Sequence, residues 1–268
     1  MTTPRPSFLG LHRALIGMLH VRALPGTPRA EMPIDSIAAE AARDAAQLAG
    51  AGFDALIVEN MHDAPYLSRD VGPEIVAAMT ACTLAVTAAA KVPVGVQILG
   101  GANRAALAAA LAGRAAFIRA EGFVFSAVAD EGLLADADAG PLLRYRRQIG
   151  ADGIRVAADI RKKHSSHALT QDVDIASHAR AAEFFGADAL IVTGPETGKP
   201  ASMADLKAVR AASTLPLLVG SGATPDTLPQ LFEFADAVIV GSALKRDGHW
   251  SKPLDPRRVD AMTRARGA

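Results

Sequence analysis

The sequence predicts an α/β fold, a single-domain (β/α)8 barrel of the TIM type, from three observations. Short apolar runs recur along all 268 residues, and each is followed by a turn or polar cluster and then a helical pattern. There are eight runs, and they do not alternate with polar residues, which is typical of strands buried on both faces of a parallel sheet. No Pro/Gly-rich linker divides the chain, so we expect one domain over residues 1–268, with its core at about residues 14–262.

The elements follow from local patterns. The predicted strands are Ala14–Leu19, Ala55–Glu59, Val94–Ile98, Ala116–Arg119, Ile154–Asp159, Ala189–Thr193, Leu217–Gly220 and Ala237–Gly241. Helical periodicity, caps and Gly stops predict six helices. They are Ile34–Ala51, a helix from a cap at Asn103 to Gly113, one from Asp174 or Ser177 to Gly186, Met203–Ala212 opened by Ser202 with Asp205, one from Pro225 through Phe234, and Pro253–Arg266. An open dinucleotide-binding sheet would need G-x-G-x-x-G after the first strand, where HVRALPGTP stands instead.

The composition excludes several classes of protein. Lys+Arg and Asp+Glu balance at 28 each, half of the residues are hydrophobic, and the aromatics are 9 Phe, 2 Tyr and 1 Trp. A chain this apolar is not disordered. Without a cationic excess or many aromatic faces, we expect no nucleic-acid partner. The single cysteine, Cys82, cannot form an internal disulfide, and we expect it to be a small buried hydrophobe.

The sequence also bears on location and assembly. The run Ala14–Leu19 is too short for a secretory signal, and Ile75–Ala90 falls short of the ~20 residues that span a bilayer. We therefore expect a cytoplasmic protein without integral membrane association. We also expect a homo-oligomer, with Ile75–Ala90 as a candidate subunit contact.

Chemistry in such a barrel is expected at the carboxyl ends of the strands. Six of the eight predicted strands end on a residue that can transfer a proton or bind charge. About half would be polar by chance, because strand ends return to water. The substrate-binding candidates are His20, Asn60, Gln97, Arg119, Glu121, Lys162, Thr193 and Gly194.

Two Gly-Ser pairs predict a phosphate site. LLVGSGAT (Leu217–Thr224) and VIVGSALK (Val238–Lys245) place them directly after the seventh and eighth strands, where many barrels bind phosphate. Glycine lets backbone N–H groups approach an anion closely, and serine adds a hydroxyl donor. The candidates are Gly220, Ser221, Gly222, Gly241 and Ser242. The alternative is ordinary tight-turn chemistry.

The densest cluster of reactive side chains is ADIRKKHSSHALT (Ala158–Thr170). Asp159 closes the fifth strand and is a candidate general base, with His164 or His167 as alternates. Lys162 is placed to hold an anionic group. The alternative is a solvated basic loop.

Glu59, at the end of the second strand, is the other catalytic candidate. It is placed to act with Asp159 across the barrel mouth, or to form a salt bridge with Lys162 or Arg119. No motif implies an organic cofactor. A divalent metal on Asp159, His164 and His167 is a further alternative, although His-x-x-His on a loop is a weak signal.

Two other chemistries are not supported. GPETGKP (Gly194–Pro200) has three residues instead of four between its glycines and Pro200 in place of the hydroxyl that a P-loop needs, so it is better interpreted as a substrate loop that begins at Thr193 and Gly194. No predicted strand ends on lysine, which argues against a Schiff-base aldolase.

Long strings of the sequence resemble the BtpA family, and within it the SgcQ-like branch. The match runs from about Leu15 to Asp260 and includes IGMLHVRALPGTP, VENMHDAPY, GVQILGGANRAAL, FIRAEGFVFSAVADEGLL, ADIRKKHSSHAL, LIVTGPETG and VGSGAT. The resemblance implies a phosphate-binding (β/α)8 barrel and, for this branch, a role in carbohydrate metabolism. Many members have Arg-Val-Asn after the fourth strand where this chain has Arg119-Ala120-Glu121, so the main branch's substrate is not carried over.

Together these features predict an enzyme that acts on a phosphorylated sugar or nucleoside-derived small molecule by acid–base chemistry. The reaction would be of isomerase, epimerase, lyase or hydrolase type. The alternative, which the family resemblance also implies, is a non-enzymatic assembly or stability factor related to photosystem I biogenesis.

Overall fold

The computed structural model describes residues 7–161, 164–194 and 200–267, whose strands include a closed parallel barrel. In chain order the strands are β1 (Ala14–His20), β2 (Ala55–Glu59), β3 (Val94–Gln97), β4 (Phe117–Ala120), β5 (Ala127–Ala129), β6 (Gly132–Leu134), β7 (Arg155–Asp159), β8 (Ser165–Ser166), β9 (Ala189–Val192), β10 (Leu217–Val219) and β11 (Ala237–Val240). The barrel order is β1-β2-β3-β4-β7-β9-β10-β11, closed by pairing of Ala14 with Ala237. The predicted (β/α)8 barrel is confirmed, and each predicted strand lies within two residues of an observed one.

Helices surround the barrel. They are α1 (Ile34–Gly50), α2 (Pro73–Ala90), α3 (Asn103–Ala112), α4 (Ala139–Gln148), α5 (Ile175–Phe184), α6 (Met203–Ala212), α7 (Leu228–Phe234) and α8 (Pro256–Arg266). The predicted caps Asp174 and Ser202 are confirmed, since their side chains accept hydrogen bonds from Ser177 N and Asp205 N. No predicted helix corresponds to α4, whose ten residues carry three arginines and little apolar surface.

Two residue roles at helix starts were predicted wrongly. Asn103 does not cap α3, because its buried amide is hydrogen-bonded to Glu121 and Asp138 instead. Pro225 precedes α7 by three residues, and Pro229 is the proline in the first turn of that helix. The residue preferences therefore located both helix starts to within three residues. They assigned the wrong residue to the cap of α3 and to the first turn of α7.

The core has two layers, separated by the barrel wall. Along β1, Leu15 and Leu19 pack against the helices, whereas Ile16 and Met18 fill the barrel interior. This alternation is the ordinary period of two in a strand. At the amino end of the barrel Phe8 packs edge-on against Phe117, with ring centroids 5.1 Å apart, and so closes that end. The opposite, carboxyl end is the mouth.

A small antiparallel sheet stands beside the mouth. Its order is β6-β5-β8, so it joins the connection after β4 to the connection after β7. These strands are only two or three residues long and were not predicted. They lie on the side of the mouth where Asp159 and Arg161 are found.

Helix α2 contains the apolar segment that suggested a subunit contact. By length and composition alone it is long and apolar enough to cross a bilayer. In the fold it packs against α1, α3 and the barrel. Cys82 lies on its buried face, as predicted, and burial raises the pKa of that thiol to about 12. Subunit contact through this helix stays a prediction.

A test of the tight barrel interior is Gly95→Ala. A Cβ at Gly95 on β3 would collide with the buried ring of Phe117. We expect the variant to lose about 1–3 kcal/mol of unfolding free energy, because an overpacked core forces strained rotamers. The control is Gly153→Ala, where no atom lies within 4 Å of the added Cβ. Equal urea midpoints for the two variants would contradict this packing.

Candidate active site at the barrel mouth

The mouth is polar because of the inward positions of the barrel strands. In a strand, every second residue points into the barrel. The residues that point inward above the apolar layer of the interior are, for each strand, either its last inward residue or the residue directly after the strand. They are His20, Glu59, Gln97, Arg119, Asp159, Thr193, Gly220 and Gly241, all predicted site residues. The barrel therefore brings these eight predicted residues to its carboxyl end.

A buried ion pair lies among these residues. Arg119 is 1% exposed, and its Nε and Nη2 donate to Oδ2 and Oδ1 of Asp159 at 3.0 and 3.2 Å. Burial disfavours the charge of Arg119, but Asp159, Glu59 and Glu121 outweigh that effect and raise the pKa of the guanidinium. Asp159 was predicted as a general base. Since both of its oxygens accept from Arg119, the geometry assigns it the role of counter-ion instead.

A second network fixes Glu121. Its backbone exchanges two hydrogen bonds with the Asn103 side chain, at 2.8 and 3.1 Å, and one of its carboxylate oxygens accepts from Gln97 Nε2 at 3.2 Å. The other end of that amide, Gln97 Oε1, is buried and accepts no hydrogen bond from any described residue. The same holds for Thr193 Oγ1. Neither residue lines the main cavity described below, so their contact with a substrate stays a prediction.

Asn60 has a structural role rather than the predicted contact with substrate. Its Oδ1 accepts from Leu99 N and its Nδ2 donates to Asp63 Oδ2, both at 2.8 Å. Asp63 in turn accepts from Leu24 N at 2.8 Å. These bonds connect the segments that follow β1, β2 and β3 and occupy both ends of the Asn60 amide.

His20 and Glu59 face each other on β1 and β2. His20 Nε2 lies 3.3 Å from Glu59 Oε2, and both side chains are about 5% exposed or less. The other ring nitrogen, Nδ1, is 3.1 Å from the carbonyl oxygen of Trp250, in the segment that follows β11. The Trp250 ring also packs edge-on against His62, with centroids 4.8 Å apart. Neither Trp250 nor His62 was predicted as a site residue.

A cavity of about 210 Å³ joins this pair to the predicted phosphate loops. It is lined by Met18, His20, Glu59, Met61, Arg119, Gly220, Ser221, Gly222, Ala223, Thr224, Ile239, Val240, Gly241, Ser242, Ala243, Gly248 and Arg258. All five predicted phosphate residues are among them. The volume is below the typical ~300–1,000 Å³ of ligand pockets, which favours a small metabolite.

The glycines of these loops are required by their positions. Gly222 has φ of +72°, a conformation that side chains other than glycine rarely adopt. A Cβ at Gly220 would lie 2.6 Å from Ile191 and 3.2 Å from Arg119 Nη2. Ser221 Oγ accepts from Gly194 N at 2.8 Å, so the loop after β10 is attached to the loop after β9. Predicted residues Ser221 and Gly194 are therefore in contact with each other.

Arg258, in the first turn of α8, was not predicted although it lines the cavity beside these loops. One signal was present in the sequence. A cation near a helix N-terminus opposes the helix dipole, so Arg257 and Arg258 stand where a purely structural helix would favour acidic residues.

The basic loop after β7 lies away from this cavity. His167 and Arg161 share a separate small cavity with Asp159, and neither His164 nor His167 lines the main one. Lys162 lies outside the described residues. Among the described residues, no three His, Cys, Asp or Glu side chains are arranged to hold a metal ion. The loop histidines as catalytic residues, and the metal alternative, therefore gain no support from this geometry.

Comparisons with known proteins identify relatives along nearly the whole chain. The family model of the BtpA family matches residues 11–267. An uncharacterized mitochondrial protein of Caenorhabditis elegans is 44% identical over 250 residues, covering 91% of this chain and 90% of its own. The photosystem I biogenesis protein BtpA of Synechocystis is 36% identical over 255 residues, covering 95% of this chain and 88% of its own.

Solved structures share the fold at low identity. A thiamine phosphate pyrophosphorylase from Pyrococcus furiosus superposes with a TM-score of 0.57 at 12% identity, over 95% of each chain. A phosphoribosyl anthranilate isomerase from Thermus thermophilus has the same TM-score at 13% identity, over 94% of this chain and 97% of its own. At this identity the likeness supports the TIM-barrel architecture alone.

The buried ion pair leads to a stability prediction. Asp159→Asn leaves the Arg119 charge buried without this partner, and we expect a loss of about 3–5 kcal/mol in unfolding free energy. The matched control is Asp152→Asn, which removes the partner of Arg147 in an exposed pair and should cost at most about 1 kcal/mol. Urea unfolding measures both. Equal losses would contradict a buried, charged Arg119.

His62 leads to a prediction about pH. Burial, aided by the positive charges of Arg22, His20 and Lys245, lowers the pKa of His62 to about 4. Between pH 6.5 and 4 the unfolded chain therefore binds a proton that the folded chain does not, and stability falls as the pH falls through this window.

In His62→Gln, we expect the loss of unfolding free energy between pH 7 and pH 5 to be about 1 kcal/mol smaller than in the unmodified protein. This is half the full linkage value, because the ring is partly exposed. His12→Gln, at an exposed position, is the control and should follow the unmodified protein. An unchanged pH dependence in His62→Gln would contradict the lowered pKa.

Proposed function

The chain belongs to the BtpA family, and on that premise we propose that it is an enzyme acting on a phosphorylated small molecule by acid–base chemistry. The substrate class is a phosphorylated sugar or a nucleoside-derived metabolite, and the reaction is of isomerase, epimerase, lyase or hydrolase type. One observation carries the proposal: a single cavity is lined by both glycine–serine loops and by the buried groups His20, Glu59 and Arg119.

The phosphate would lie between the two glycine–serine loops. Gly220–Gly222 follow the seventh barrel strand, and Gly241 and Ser242 follow the eighth, which is the phosphate position of many barrels of this architecture. Arg258 adds a cation at the rim. Arginine is well suited to this role because its planar fork donates two parallel hydrogen bonds to phosphate oxygens.

The acid–base chemistry would take place deeper in the cavity. Glu59 is 3% exposed and lines the same cavity as the loops, so a substrate with its phosphate in the loops would extend toward this carboxylate. Arg119 is placed to stabilise negative charge that develops on substrate oxygens, while Asp159 holds it in position.

The solved neighbours are consistent with this assignment. By their names, the thiamine phosphate pyrophosphorylase and the phosphoribosyl anthranilate isomerase act on phosphorylated compounds. Their barrels align with this chain over at least 94% of its length. The fold is therefore one that is used for such substrates, and the choice of reaction depends on the residues at the mouth.

A second candidate is an assembly or stability factor. It is favoured by the 36% identity to the photosystem I biogenesis protein of Synechocystis. It is also favoured by the exposed aromatic pair Phe184 and Phe185, 86% and 52% exposed, since such patches mark interaction surfaces. A factor of this kind does not need buried ionisable groups in the barrel mouth, which is why the enzyme is the first candidate.

The remaining expectations belong to the same proposal. We propose that the protein acts in the cytoplasm, in carbohydrate metabolism, as a homo-oligomer, with neither nucleic acid nor an integral membrane as partner. Thermal unfolding with phosphorylated ligands, carried out with and without divalent metals, tests whether the protein needs a metal to bind them.

The phosphate site is tested by ligand-dependent thermal unfolding. We expect inorganic phosphate, ribose 5-phosphate or another sugar phosphate to raise the unfolding temperature, since a ligand at 100 times its Kd adds about 2.7 kcal/mol. Arg258→Ala should weaken this binding about 10- to 100-fold, because a charge-assisted hydrogen bond contributes about 1.5–3 kcal/mol.

The control is Arg257→Ala, which removes the neighbouring, exposed arginine that does not line the cavity. It should bind like the unmodified protein. Absence of stabilisation by every phosphorylated compound, with and without divalent metals, would contradict the proposed function. Equal weakening by the two arginine variants would contradict the position of the site.

A further inference from the structure

We propose that His20 is a second catalytic residue, which forms with Glu59 a proton-transfer dyad oriented by the main chain of Trp250. The proposal rests on the proposed function and deepens it, because it names the acid–base unit and, through its position, the substrate class. It starts from three contacts, to Trp250, Glu59 and Gly241.

The contact with Trp250 fixes the tautomer of His20. A carbonyl oxygen only accepts hydrogen bonds, so the Nδ1 atom of His20, 3.1 Å away, must carry a hydrogen. In the neutral ring the other nitrogen, Nε2, then has a lone pair and no hydrogen. The main chain of the segment after β11 thereby directs a basic nitrogen of His20 toward β2.

The contact with Glu59 requires one more proton. Nε2 lies 3.3 Å from Glu59 Oε2, and both side chains are almost fully buried. If neither atom were protonated, a lone pair would face a carboxylate oxygen at short range, which is repulsive. A proton held at this contact converts the repulsion into attraction. The pair therefore stores one transferable proton in a site with little water.

In the proposed dyad, Nε2 of His20 holds this proton and Glu59 is the carboxylate. The pKa of Arg119, on β4, is raised in part by Glu59, so the two charges stabilise each other and favour the carboxylate form of Glu59. His62, next to the Trp250 ring, has its pKa lowered to about 4 and is neutral at pH 7.

Charges behind β1 are paired among themselves. His20 borders a small cavity on its outer side with Arg22, Glu40 and Asp44. Arg22 lies 2.8 Å from Glu40, and Asp44 lies 3.7 Å from the buried Lys245. Within the described ranges, the His20 ring forms its ion-pair contact with Glu59 instead.

The position of the ring defines the substrate class. A Cβ at Gly241 would lie 3.4 Å from both Cε1 and Nε2 of His20, so the ring packs on the backbone of the phosphate loop. A phosphate bound by that loop would be only a few bonds from the atom that exchanges a proton with Nε2. This favours a short phosphorylated hydroxycarbonyl compound, such as an aldose or ketose phosphate.

For such a compound the proton transfers balance without a co-reactant. Glu59 takes a proton from the carbon next to the carbonyl, the electron pair of that C–H bond forms a carbon–carbon double bond, and the carbonyl oxygen takes the proton from Nε2. In the second half, Glu59 returns its proton to the former carbonyl carbon, and the hydroxyl of the neighbouring carbon gives its proton to Nε2. The dyad ends as it began.

The test is nitrogen NMR on the full-length protein with ¹⁵N-labelled histidine and no ligand. We expect the neutral form of His20 to carry its hydrogen on Nδ1. In Glu59→Gln, we expect the ratio of doubly to singly protonated His20 at pH 7 to fall about tenfold, because the neighbouring carboxylate no longer stabilises the charged ring. Glu40→Gln is the matched control and should change this ratio by less than about twofold, since Glu40 is paired with Arg22.

A neutral His20 with its hydrogen on Nε2 would overturn the proposal, as would an unchanged ratio in Glu59→Gln. If Glu59→Gln does not fold, the tautomer of the unmodified protein decides by itself. The measurement needs no ligand, so it is separate from the binding assay for the phosphate site. A protein that binds no phosphorylated compound would lose the proposed function while its NMR result stayed valid.

Discussion

The charge of Arg119 is the constraint on which the mouth of this barrel depends. A guanidinium that is 1% exposed must be compensated inside the protein, because the cost of removing it from water is several kcal/mol even after relaxation. Asp159 supplies a two-point partner on the next barrel strand, and Glu59 and Glu121 supply further negative charge. The acidic residues around the mouth are therefore needed to stabilise this charge in the folded protein, in addition to the chemistry proposed for them. Their presence alone does not distinguish a catalytic carboxylate from a counter-ion, whereas their hydrogen-bond partners do.

Much of the fold could be predicted from the sequence because the barrel strands are buried on both faces. The run Ala237–Val240 is apolar throughout, and the run Ala55–Glu59 is apolar up to its last residue. Few other structures produce eight such runs in series. The small sheet of β5, β6 and β8 could not be found in this way. Its strands have two or three residues, and their pairing depends on two distant connections meeting in space. Helix α4 was missed for a related reason, since its arginine-rich sequence carries little apolar periodicity.

The candidate site was predictable to the extent that strand ends determine it. Position at the end of a strand was enough to select His20, Glu59, Arg119 and both glycine–serine loops. It could not assign their roles, which depend on contacts between side chains far apart in sequence, such as the bonds of Arg119 to Asp159 and of Asn60 to Leu99. Trp250 was also beyond reach, because its contribution is a backbone carbonyl and any residue type provides one.

The position of Trp250 has a practical consequence. It is the only tryptophan among 268 residues; its backbone contacts His20, which lines the cavity, and its ring contacts His62. The tryptophan fluorescence of this protein therefore originates from one place, and that place adjoins the candidate active site. Protonated imidazoles quench indole emission, so the signal reports directly on the local environment of the mouth. The protein carries its own optical reporter for ligand binding, and a search for its substrate can begin without any label.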